Sequence, residues 1–150
     1  DENAALWSVV LGSVGSAAGR LLMPMLSDKT GRRPTDMILF AVSLGLSVVF
    51  WFAQGWVVVA VYAGLTFCYS ALAAVLPALS TDLFGFPHAG VNYGFLALGQ
   101  SVGSLAFPLM ANLWGLDQGR HILAIAGAVG GFVAIWALRP VQPPRAPRPN

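Results

Sequence analysis

Five long apolar stretches follow one another along this chain, and only short polar connectors separate them. They run over roughly 4–26, 37–53, 57–79, 91–113 and 121–138. A helix needs about 20 mostly apolar residues to cross a bilayer, and each stretch meets or approaches that length. In lipid every backbone N–H and C=O must be satisfied within the protein, so the runs read as helices. The expected class is therefore all-α, a polytopic bundle of five transmembrane helices. Composition agrees. The chain is 57% hydrophobic and 9% charged, against about 25% charged residues in soluble domains. A formal net charge of +2 is too small to point to nucleic acid. Cys68 is alone, which rules out a disulfide framework within the chain.

The connectors are 27–36, 53–56, 80–90 and 114–120. Residues 1–138 are expected to form the bundle, and 139–150 a disordered Pro/Arg-rich tail, since five prolines in twelve residues preclude a helix. Lys29, Arg32 and Arg33 in the first connector and Arg139, Arg145 and Arg148 in the tail hold six of the eight Lys+Arg. Five spans place both segments on one side, and the bias of basic residues makes that side cytoplasmic. Trp7, Trp51, Trp56 and Trp114 then fall at outer helix ends, where interfacial tryptophans belong. Small residues spaced by four, Gly15/Gly19, Gly99/Gly103 and Gly127/Gly131, are expected to let helices approach closely.

Within this apolar sequence one cation is out of place. Arg20 sits inside the first run, eight residues before Asp28 and so roughly 12 Å from the cytoplasmic end. The six acidic residues all lie between or at the edges of the runs. An unpaired cation in hydrocarbon costs about 3 kcal/mol or more. Its partner must be an acid from chain outside these residues or an anion that the protein carries. Ser13 and Ser16 share its helical face. The third run carries Tyr62, Thr66 and Tyr69 on one face, and the fourth carries Tyr93, Gln100 and Ser104. Gln100 is expected at the depth of Arg20. Spans one, three and four are thus expected to surround an aqueous cavity, with spans two and five facing lipid. Interhelical hydrogen bonding in a closed bundle is the competing account of these hydroxyls.

The connector Asp28-Lys29-Thr30-Gly31-Arg32-Arg33 resembles the loop signature of the major facilitator superfamily, Gly-x-x-x-Asp-(Arg/Lys)-x-Gly-(Arg/Lys)-(Arg/Lys), with Pro24 standing where the pattern has glycine. That motif lies between the second and third helices of each six-helix half. The resemblance therefore implies spans eight to twelve of a longer carrier, a partial major facilitator fold whose amino-terminal half is a missing partner. Gly19-Arg20, the segment 77–85 and Gly90-Val91-Asn92-Tyr93-Gly94 are similar to the oxalate/formate antiporter and monocarboxylate transporter group. There a cavity arginine in the eighth span engages substrate carboxylate, and Arg20 occupies its place. Oxalate carriers place a lysine where this chain has Gln100, so one cavity cation favours a monoanion over a dianion.

These readings converge on secondary active transport of a small organic anion, a monocarboxylate such as formate, lactate or pyruvate, by exchange or with a proton. The expected substrate-binding residues are Arg20, Gln100, Ser16, Tyr69, Tyr93, Thr66 and Ser104. The loop residues Asp28, Lys29, Gly31, Arg32 and Arg33 form a conformational gate, with Asp82 a possible partner for Arg32 or Arg33. No cofactor or metal is expected. The partners are the carboxylate, membrane lipid and the rest of the carrier, in a plasma membrane (the inner membrane in a bacterium). Two alternatives differ in class. One is a truncated assembly subunit that does not transport. The other is an intramembrane serine hydrolase, raised by Gly99-Gln100-Ser101-Val102-Gly103, which would need a histidine base near Ser101.

Overall fold

The computed structural model describes residues 2–113 and 116–137. It contains five helices, α1 (Glu2–Thr30), α2 (Arg32–Phe52), α3 (Trp56–Phe84), α4 (Ala89–Leu113) and α5 (Leu116–Ala137). The expected class and helix number are met. The tail, 139–150, and Trp114 lie outside the described residues. By length and apolarity α1, α2 and α3 can each cross a membrane, and α5 has a shorter apolar stretch, His121–Ala137. Asn92, Gln100 and Pro108 lower the apolarity of α4 without interrupting its helix.

Helix boundaries run past the apolar limits. The connector expected over 27–36 shrinks to Gly31, because α1 continues to Thr30 and α2 begins at Arg32. Polarity does not end a helix when its backbone bonds continue. The Gly31 N–H donates to the Ser27 carbonyl at 2.9 Å, and the Thr35 N–H to the Gly31 carbonyl at 3.3 Å. Gly31 has φ 95°, a region that L side chains enter at a cost and glycine enters freely. Pro24, Pro77 and Pro108 all lie inside helices.

Contacts fix the directions. The start of α2 touches the ends of α3 and α5, through Arg32 and Arg33. The end of α2 meets the start of α5, where the His121 ring stacks on Trp51 at 5.3 Å. Helices α1 and α3 run parallel and in register, Gly12 against Tyr62 and Gly19 against Phe67. A Cβ on Gly19 would stand 2.5 Å from the Phe67 carbonyl oxygen, and one on Gly15 2.7 Å from that of Ala63. Only hydrogen fits there, as the small-residue spacing implied. Gly99 of the second such pair has nothing within 4 Å, so that pair brings no helix close. In the third pair Gly131 receives the Phe40 ring of α2.

The core lies where α1, α2 and α3 meet. Leu39, Cys68 and Ala71 are buried together, with Met23, Leu46, Phe67 and Leu72 around them. Two polar residues are buried without a full set of partners. Asp36, expected at an interface, is 1% exposed, and its Oδ1 has no hydrogen-bond partner. Ser80 is buried with an unpartnered hydroxyl. Much of the outer surface is apolar, from Leu6, Val9 and Val14 on α1 to Leu105 and Leu109 on α4. Lipid or further protein must cover such a surface.

Candidate functional site: a hydroxyl-lined cavity beside Arg20

The parallel pair α1 and α3 encloses the first feature able to do chemistry. Its close contact through Gly15 and Gly19 leaves the adjoining faces diverging, and a cavity of about 540 Å³ opens between them. Arg20 lines this cavity with Ser13, Ser16 and Ala17 of α1 and with Tyr62, Thr66, Tyr69 and Ser70 of α3. Six hydroxyls thus share one space with one guanidinium.

Several of these hydroxyls are already oriented. Ser16 and Ser70 are joined across the helix pair at 2.6 Å. Thr66 Oγ1 donates within its own helix to the Ala63 carbonyl at 2.9 Å and lies 3.1 Å from the Gly12 carbonyl. Ser13 donates back to the Val9 carbonyl at 2.8 Å. The tyrosines are less committed. Tyr62 and Tyr69 are 41% and 59% exposed, and Tyr69 accepts a hydrogen bond from the Gln100 amide at 2.9 Å. Among the described residues no carboxylate pairs with Arg20. Pro24, one turn on, has no N–H to donate to the Arg20 carbonyl. That stretch of α1 therefore presents both a free cation and a freed backbone acceptor.

Of the seven expected substrate-binding residues, Arg20, Ser16, Thr66 and Tyr69 line this one cavity. Gln100 reaches it through Tyr69. Tyr93 and Ser104 do not line it. Tyr93 is 38% exposed, and Ser104 donates to the Ser101 carbonyl of its own helix at 2.8 Å. Of these three α4 residues, Gln100 is the one that hydrogen-bonds to α3 among the described residues.

A second cavity of about 590 Å³ corrects the expectation that the second and fifth spans face only lipid. Ser47 and Phe50 of α2 and His121 and Ala124 of α5 line it, together with Leu65 of α3. Tyr62, Thr66 and Tyr69 line it too, so one stripe of α3 borders both spaces. The reason is that α2 and α5 pack against each other as well as against α3. His121 had no signal in the sequence beyond its place at a helix start. Its role depends on stacking with Trp51 and with Phe50 at 5.7 Å.

At the opposite end, the loop motif is tied into this chain. Arg32 pairs with Asp82 of α3 at 2.6 Å and with Asp28 at 3.1 Å, and donates to the Ala78 carbonyl at 3.0 Å. The expected Asp82 partnership is thus with Arg32. Arg33 donates to the carbonyls of Ile135 and Trp136 at the end of α5, acceptors that a helix C-terminus leaves open. Both arginines of the expected gate are engaged inside the described bundle. Lys29 is exposed.

The serine pentapeptide lies within α4, and Ser101 donates to the Ala97 carbonyl at 2.9 Å. A nucleophile elbow needs a strand-to-helix turn, and an unbroken helix does not supply one. No curated protein and no solved structure matches the chain. A family model does match, that of the Major Facilitator Superfamily, over residues 1–150, so this chain belongs to that superfamily of transporters and is a multi-pass membrane protein.

Proposed function

We propose that the protein carries a small organic monoanion across the plasma membrane by alternating access, with Arg20 as the carboxylate anchor. The observation that supports this most is Arg20 in a hydroxyl-lined cavity with no carboxylate beside it among the described residues. A guanidinium and a carboxylate form a strong, charge-assisted and often bidentate pair. Tyr69, oriented by Gln100, and the hydroxyls of Ser16 and Thr66 then hold the substrate's remaining atoms. One cation suits one negative charge, which supports formate, lactate or pyruvate over oxalate as the substrate in this reading. Exchange and proton symport are both compatible with this site.

In this reading the chain works as spans eight to twelve of a longer carrier, with the loop and tail in the cytoplasm. The loop residues Asp28, Lys29, Gly31, Arg32 and Arg33 act as a gate by holding α1, α2, α3 and α5 together at that end. Rocking against the other half of the carrier exposes the site to each side in turn.

The test is uptake of labelled formate, lactate, pyruvate and oxalate by cells expressing the protein. Arg20→Gln should lower uptake of the preferred monoanion by about 30-fold, the usual loss when a hydrogen bond to a charged group is removed. Equal uptake by the variant at equal membrane abundance would remove Arg20 from the mechanism.

A further inference from the structure

The second cavity gives the substrate a body as well as a charge. We propose that the preferred anion is an aryl or arylalkyl monocarboxylate, its carboxylate on Arg20 and its ring in the space bounded by Phe50, Leu65 and His121. The inference rests on the carboxylate anchor proposed above and adds what the rest of the molecule must be.

Tyr62, Thr66 and Tyr69 recur at i, i+4 and i+7, so they form one stripe along α3. Both cavities border that stripe, and all three residues line both. A molecule bound at Arg20 can therefore extend past the two tyrosine rings without leaving the protein. Their partial exposure, 41% and 59%, leaves their faces available to it.

The two spaces differ in chemistry. Around Arg20 the lining is mostly hydroxyl. In the second cavity, four of the eight lining residues carry an aromatic ring, Phe50, Tyr62, Tyr69 and His121, and Leu65 and Ala124 add aliphatic surface. Aromatic walls favour a flat guest held by offset or edge-to-face contacts. The His121 ring is fixed from behind by its stack on Trp51, so this wall is in place before a ligand arrives. A volume of about 590 Å³ falls within the range of small-molecule sites, roughly 300–1,000 Å³. Formate or lactate would leave it empty.

The experiment compares labelled lactate with labelled 3-phenylpropionate in cells expressing the wild type, Arg20→Gln, Leu65→Trp and Ala124→Phe. The wild type should take up phenylpropionate with a KM about tenfold or more below that of lactate, as burial of one ring predicts. Leu65→Trp fills the second space from α3, and Ala124→Phe fills it from α5. Each should lower the ratio of phenylpropionate to lactate uptake by about tenfold. Two variants on different helices guard against one that fails to fold. Arg20→Gln should abolish both uptakes. Wild-type preference for lactate, or an unchanged ratio in both filling variants while Arg20→Gln is inactive, would overturn the aryl substrate and leave the anchor standing. Uptake that survives Arg20→Gln would overturn the anchor itself.

Discussion

At the scale of single residues, charge inside apolar sequence was the most legible signal. Arg20 could be singled out because nothing acidic accompanied it within its run, and three of the other six expected binding residues line one cavity with it. Asp36 was not legible. Counting along the sequence put it at an interface, whereas the fold buries it to 1% exposure, because α2 begins at Arg32 and not at 37. A buried carboxylate with no counter-charge gains nothing from its charge. Asp36→Asn should therefore leave thermal unfolding in detergent within about 3 °C of wild type. A much larger loss would mean that an ionic partner holds Asp36. Tyr69→Phe makes a gentler change at the site, since it removes the acceptor that orients Gln100. A neutral hydrogen bond is worth about 1 kcal/mol, so KM for the transported anion should rise about fivefold with kcat little changed.

At the scale of helices, number and type could be read from the apolar runs, but partnerships could not. Identical spacing of small residues led to different outcomes. Gly15 and Gly19 meet the backbone of α3, while Gly99 meets nothing within 4 Å. The sequence pattern says that a face is smooth, and only the arrangement of helices says what lies against it. Gly19→Val should thus cost about 1–3 kcal/mol, as overpacking does, because the Phe67 carbonyl cannot move aside as a side chain would. Gly99→Ala should be neutral in the same unfolding measurement. The same limit hid the second cavity, which exists because α2 and α5 pack on each other and on α3, a pairing with no mark in the residues of α2 or α5 alone.

At the scale of the whole molecule, the loop motif and the cavity lie at different levels of one bundle. The Arg32–Asp82 and Arg33–α5 contacts close one end, and the hydroxyl-lined space opens further along α1 and α3. Partly exposed ion pairs add less than about 1 kcal/mol to stability, so the expected effect of Arg32→Gln is on gating and not on folding. It should leave protein abundance near wild type and change the transport rate. A collapse in abundance would instead make Arg32 a structural residue. The central claim, that a carboxylate occupies the space beside Arg20, is tested most directly at Ala17, which lines the cavity and is exposed. Ala17→Cys should react with a small charged thiosulfonate reagent, and saturating transported monocarboxylate should slow the reaction about tenfold, provided that Arg20 is present. An Ala17→Cys thiol that stays unreactive, or protection that persists in the Arg20→Gln background, would contradict the account.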